Sequence, residues 1–184
     1  MTEPIPSLTR ALMFAAQKHT DQRRKGERAE PYVNHLIDVV DTLARHTDGA
    51  DSELLIAGAL HDTIEDTETR YEELKREFGE NVADIVRECT DDKSLPKAER
   101  KRLQAENAPH KSERARLVKI ADKTSNLRSI LDSPPPDWDD TRKMEYFNWS
   151  KSVVDGCRGI NAGLEREFDD LHKKGTAKFA PKAA

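Results

Sequence analysis

Cysteine is almost absent from this sequence: Cys89 and Cys157 are the only two in 184 residues. That is too few for a disulfide framework and suits a reducing cytosol. Aromatic residues make up only 5% of the chain, and no basic face carries the stacking aromatics that a nucleic-acid-binding module needs. No stretch approaches 18 consecutive apolar residues, so no membrane-spanning helix is expected. The opening "MTEPIPSLTR" has no basic region followed by an apolar core, so no signal peptide is read there, and a cytoplasmic protein is expected. Neither sign of charge dominates. Lys and Arg number 31 against 35 Asp and Glu, a net charge of −4, which gives no general affinity for nucleic acid or an anionic membrane. Any binding of phosphate must come from a local cluster of cations.

What is present is helical periodicity. Charged residues reach 36%, a level that can accompany disorder, but the signs nearly cancel and apolar residues recur at helical spacing through most of the chain. The reading is all-α, and the length suits one domain with a real core. That domain spans 1–184, with its core from about residue 7 to 172 and a tail, "KKGTAKFAPKAA" (173–184), expected to fray. "SLTRALMFAAQKH" places Leu8, Leu12, Ala15 and Ala16 on one face behind Ser7 as N-cap. Asn34 is read as the cap of "HLIDVVDTLARH", whose Leu36, Val39, Val40 and Leu43 repeat at helical spacing. "DSELLIAGALHDTIED" reads as one helix, and its apolar interior should be central. Gly79 separates two short helices, and Pro96 opens the first turn of another. "SERARLVKIADKTSNLRSIL" is a strong helix with Leu117, Ile120, Thr124, Leu127 and Leu131 inward, stopped by the prolines of "SPPPDW". The stretch 139–172 reads as a long helix in which Gly156, Gly159 and Gly163 mark a bend or break.

The chemistry concentrates in "GALHDTIEDT". On a helix, positions four apart share a face, so His61 neighbours Glu65 and Asp62 neighbours Asp66. One acid-rich turn by itself reads as a solvated helix end. Three features favour a metal site instead. The preceding turn is very apolar, which carries the patch into the interior. A histidine beside an aspartate offers nitrogen and oxygen ligands that divalent transition metals accept. Two further residues of the right type sit elsewhere: His35 at the start of its helix, and Asp122 in "VKIADKTSNLRSI". Asp122, Asn126 and Ser129 form a polar stripe beside an apolar one, and a carboxylate placed against apolar neighbours needs a partner. His19, His46, His110 and His172 have no comparable setting and are read as structural. Arg23, Arg24 and Lys25 form a basic cluster in the loop before His35.

The ordered set "H…HD…D", as His35, His61–Asp62 and Asp122, resembles the HD superfamily of metal-dependent phosphohydrolases. Within it the chain resembles the hydrolase domain of the RelA/SpoT homologues, most closely the stand-alone small alarmone hydrolases. The matching stretches are "FAAQKHTDQRRK", "PYVNHLIDV", "ALHDTIEDT", "FGENVADIVRECTDDKSLPKAERK" and "LVKIADKTSNL". The resemblance implies a compact HD-domain fold of about eight to ten helices around a central metal site. It implies removal of the 3′-pyrophosphate from ppGpp or pppGpp with a single Mn²⁺, opposing the stringent response. His35, His61, Asp62 and Asp122 are then the metal ligands, and Glu65 and Asp66 jointly the catalytic acids, with no way to tell from spacing which is the base. Arg24, Lys25, Asn126 and Ser129 match positions flanking the nucleotide. Lys97, Arg142 and Tyr146 are candidates for holding phosphate or ribose, or else surface and packing residues. The length leads to the expectation of no synthetase or regulatory domain. Two alternatives stay open: the same metal chemistry on another phosphorylated nucleotide such as NADPH, and a catalytically inactive alarmone sensor.

Overall fold

The computed structural model describes residues 4–180, and the expected all-α class holds there. Ten α-helices appear among the described residues: α1 Pro4–Lys18, α2 Val33–His46, α3 Ser52–Leu60, α4 Thr63–Asp66, α5 Tyr71–Phe78, α6 Glu80–Cys89, α7 Lys97–Asn107, α8 Glu113–Asp132, α9 Asp140–Asp155 and α10 Ala162–Phe179. A 3₁₀ turn, Ala108–His110, follows α7. These residues form no strand, only an isolated bridge between Arg23 and Pro31. No helix among them is long and apolar enough to cross a membrane.

Two helices are central. In α3 every residue from Leu54 to Leu60 is buried, and the helix packs against α1, α2 and α6. Helix α8 is buried on all sides from Leu117 to Ser125 and packs against α2, α6, α9 and α10. The inward faces read from periodicity hold for α2, where Leu36, Val39, Val40 and Leu43 are all buried. On α8, Leu117, Ile120, Thr124 and Leu127 are buried, whereas Leu131 is only partly so.

Helix ends differ from the sequence reading in several places. Ser7 is no cap, because α1 begins at Pro4; prolines suit a first helical turn, where their missing N–H costs nothing. Asn34 is likewise inside the first turn of α2, and Tyr32 precedes that helix without a side-chain cap. Pro96 flanks α7, which starts at Lys97. The most consequential difference lies at 51–66, where the expected single helix breaks at His61–Asp62 into α3 and the one-turn α4. There His61 Nδ1 bonds the Gly58 carbonyl at 2.9 Å and Thr63 Oγ1 donates to the Leu60 carbonyl at 2.7 Å. Such side-chain bonds compete with the backbone ladder.

Gly79 splits α5 from α6 as expected, with φ of +93°, a conformation open to glycine at little cost. The long C-terminal helix breaks between Gly156 and Asn161, and Asn161 caps α10 by accepting from the amides of Gly163 and Leu164. The tail corrects an expectation: 173–179 do not fray but form the last turns of α10, where Gly175 and Phe179 are buried. A Cβ on Gly175 would lie 1.7 Å from the Phe147 ring. Residues 181–184 of the expected tail lie outside the described residues.

Candidate metal centre and cavity

The helix break positions the site. It leaves His61 and Asp62 at the buried end of α3, facing His35 from the first turn of α2 and Asp122 from the middle of α8. His35, His61 and Asp62 each offer a ligand atom within 4.8 Å of one another. Asp122 Oδ1 stands 3.4 Å from His35 Nε2 and 3.9 Å from His61 Nε2. Three of the four expected ligands thus form one tight group, and Asp122 approaches both of its histidines. Among the described residues no other histidine joins them: His46 pairs with Glu167 at 2.6 Å, and His19 bonds Gln22 at 2.8 Å.

Each of these four side chains is held from behind. His35 Nδ1 bonds Ser125 Oγ at 2.9 Å, and His61 Nδ1 donates to the Gly58 carbonyl, so both Nε2 atoms turn toward the carboxylates. Tyr32 donates to Asp62 Oδ2 at 2.6 Å. Asn126 donates to Asp122 Oδ1 at 2.6 Å while its own oxygen accepts from Arg24 at 2.8 Å. Lys123 donates to Asp122 Oδ2 at 2.9 Å. Outer partners of this kind fix the tautomer and orientation of metal-ligating side chains.

The residues present fit a divalent cation. His61 Nε2 is buried and, among the described residues, has no hydrogen-bond partner, although Asp62 Oδ2 lies 3.1 Å away. Burial opposes the charged imidazolium of His61, yet the carboxylates of Asp62 and Asp122 outweigh it and hold its pKa up at about 9. For His35 burial prevails and the pKa falls. Burial would raise the carboxyl pKa of Asp62, but His61 more than offsets this and holds it well below the usual range; Lys123 chiefly does the same for Asp122. The two carboxylates so stabilise positive charge on His61 beside that of Lys123, and two nitrogens plus two oxygens suit a first-row divalent metal. Metal would compete with that proton for His61.

The expected patch of four neighbouring polar groups divides at the break. Glu65 turns toward the segment after α6, accepting from the Asp91 amide at 3.1 Å, with Arg100 Nη1 3.7 Å from its other oxygen. Burial, followed by the charges of Asp91 and Asp62, raises its pKa. Asp66 pairs instead with Lys93 and keeps its side chain 29% exposed.

Above the cluster opens a cavity of about 520 Å³. Glu65, Asp66, Asp62 and Asp122 line it, and so does every residue expected near a nucleotide: Arg24, Lys25 and Lys97, then Asn126, Ser129, Arg142 and Tyr146. Tyr146 lies between Trp138 and Trp149, with ring centres 5.5 and 5.3 Å away. The sequence reading missed Lys101, Lys119 and Lys123, also in the wall. Lys123 is buried 4.5 Å from the Trp149 ring centre, and Lys119 donates to the Cys89 carbonyl at 2.6 Å. Only Lys123 left a legible signal, as the cation directly following Asp122.

Comparison with known proteins identifies the family. The HD domain family matches residues 11–145. The guanosine-3′,5′-bis(diphosphate) 3′-pyrophosphohydrolase MESH1 of Xenopus tropicalis is 47% identical over 171 residues, 93% of this chain and 96% of its own. The human protein of the same name is 47% identical over 174 residues, 95% of this chain and 97% of its own. A solved structure described as a metazoan ortholog of SpoT that hydrolyses ppGpp superposes with a TM-score of 0.89 at 45% identity, covering 95% of this chain and 98% of that one. With its two histidines and two aspartates gathered from α2, the α3–α4 break and α8, the chain belongs to the HD-domain family, in the RelA/SpoT-type group that includes MESH1.

Proposed function

We propose that this protein hydrolyses the 3′-pyrophosphate of guanosine alarmones, converting ppGpp to GDP and pppGpp to GTP with one water consumed and pyrophosphate released. The observation that carries this reading is the His–Asp cluster at the floor of a cavity whose wall bears nine Lys and Arg side chains against six Asp and Glu. The names of the full-length relatives support the same substrate. In this reading one Mn²⁺ per chain is held by His35, His61, Asp62 and Asp122. The chemistry such a cation supplies when bound is a water of lowered pKa and charge compensation at phosphorus.

The chain's own side chains do the rest. Glu65, desolvated beside Asp62, is the group suited to take a proton from the attacking water, because burial brings its affinity nearer to neutral pH. Asp66, tied to Lys93, assists from the cavity rim. Arg24, Lys25, Lys97 and Arg142 balance the phosphates, and Tyr146, Asn126 and Ser129 contact the nucleoside. Arg24 has a second role, since through Asn126 it braces Asp122. We place the protein in the cytoplasm as one hydrolase domain acting on a small nucleotide, without nucleic-acid or membrane partners; both cysteines are free and buried.

The test is hydrolysis of ppGpp with Mn²⁺, beside chelator-treated protein and a His61→Ala–Asp62→Ala variant, with NADPH in parallel. Metal-dependent release of GDP and pyrophosphate, absent in both controls, is expected. Cleavage of NADPH alone would leave the metal site standing and remove the alarmone assignment. Binding of ppGpp without cleavage would make the protein a sensor.

A further inference from the structure

Helix α7 is unusual in what it buries. Its sequence, "KAERKRLQAEN", is polar nearly throughout, and its one buried residue is Gln104. A helix normally seats an apolar stripe on the core, whereas this one seats an amide. Gln104 donates to the Asp91 carboxylate, while its Oε1 is buried without a partner among the described residues. Arg100, one turn earlier on the same face, has a buried Nε in the same condition. Unsatisfied buried polar atoms cost stability, so two on adjacent turns call for an explanation other than packing.

Their neighbours, Glu65 beside Arg100 and Asp91 beside Gln104, supply one. Each oxygen of Glu65 is held by a different group: Oε2 by the Asp91 amide at 3.1 Å, Oε1 by Arg100 Nη1 at 3.7 Å. Gln104 in turn holds the Asp91 side chain. Helix α7 thus reaches Glu65 twice, directly through Arg100 and indirectly through Gln104 and Asp91. All four residues line the large cavity, and Asp91, Arg100 and Gln104 also separate it from a smaller one of about 140 Å³.

We propose that Arg100 and Gln104 are positioning residues, which aim the Glu65 carboxylate at the reacting centre without touching substrate. The inference rests on Glu65 as the proton-handling acid. A carboxylate gripped by arginine in a tight, two-pronged pair would be locked in its charged form. At 3.7 Å the guanidinium orients Glu65 and leaves it free to exchange a proton.

The experiment compares Arg100→Gln, Arg100→Lys, Gln104→Leu and Glu65→Gln, alone and with each α7 change combined with Glu65→Gln. Readouts are kcat and KM for ppGpp, Mn²⁺ affinity without substrate, and the unfolding midpoint. Arg100→Gln and Gln104→Leu should lower kcat about 10- to 100-fold, the size of effect expected from misplacing a catalytic group by about 1 Å. KM and Mn²⁺ affinity should hold within about twofold, Arg100→Lys should recover most of the loss, and neither change should matter in the Glu65→Gln background, because groups acting as one unit are non-additive. A loss that falls on KM, or one that persists undiminished beside Glu65→Gln, would make Arg100 a substrate contact and overturn the proposal. So would unchanged kcat in Arg100→Gln, a partly exposed site that decides the matter even if Gln104→Leu unfolds. Full activity in Glu65→Gln itself would instead remove the assignment of the acid, and the positioning role with it.

Discussion

Ser125 and Tyr32 are the side chains through which the candidate metal centre can be tested without deleting a proposed ligand. Ser125 bonds His35 Nδ1, and Tyr32 bonds Asp62. Ser125→Ala should weaken Mn²⁺ binding by about 10- to 100-fold, the usual cost of losing an outer partner of a ligand, and calorimetric titration would measure it. Tyr32→Phe should act in the same direction through Asp62. Asp122→Asn should exceed both, because it removes a ligand charge as well as its orientation. Unchanged affinity in Ser125→Ala would mean that the His35 ring is held by packing alone. These partners could not be read from the sequence. A serine and a tyrosine carry no spacing signal of their own, and both meet their histidine or aspartate only when α2, the α3–α4 break and α8 converge.

Helix α10 carries the clearest departure from the sequence reading. "KKGTAKF" looks like a fraying tail because it is basic and holds a glycine, yet Phe179 is 5% exposed and rests 5.8 Å from the Phe147 ring centre. Phe179→Ala should lower the unfolding free energy by about 3 kcal/mol, as for other buried phenylalanines; a frayed end would give almost none. Gly175→Leu should cost about 1–3 kcal/mol by overpacking against Phe147. Urea denaturation with a shared slope separates both from changes in the unfolded state. The break at His61–Asp62 was hidden for a related reason. Helical periodicity continues through it, and the two side-chain bonds that interrupt the ladder have the same local sequence in a continuous helix.

The ion-pair network joining α2, α8 and α10 bears on the stability of the molecule. Glu167 receives Arg45, His46 and Arg128, and Arg128 also reaches Asp38 at 2.5 Å. Partial burial would raise the Glu167 pKa, but the hydrogen bonds from Arg45 and His46 and the charges of Arg45 and Arg128 outweigh it and hold it at about 2. A depressed carboxyl pKa adds stability above the ordinary value, about 4.3, and that stability is lost as pH falls from there toward 2. Glu167→Gln should therefore destabilise the protein at pH 7 by about 1 kcal/mol, allowing for solvent screening, and the difference from the parent should shrink as pH falls through about 2 and vanish below it. Melting curves across that range would check it; a difference independent of pH would assign the effect to packing.

The helical class, the central place of α3 and the grouping of His35, His61, Asp62 and Asp122 as one candidate site were legible in the chain, because they rest on periodicity and on residue types that few other chemistries require together. The different surroundings of Glu65 and Asp66 were not. Spacing puts both one turn from the ligands, and only the tertiary structure sends Glu65 beside Asp91 and Arg100 and Asp66 out to Lys93. The same holds for the cavity wall: Lys101 and Lys119 read as ordinary helical cations until α7, α8 and α9 enclose one space. Local pattern records what a residue can do chemically; which partner it does it with depends on contacts between segments far apart in the chain, and those exist only once the helices have packed.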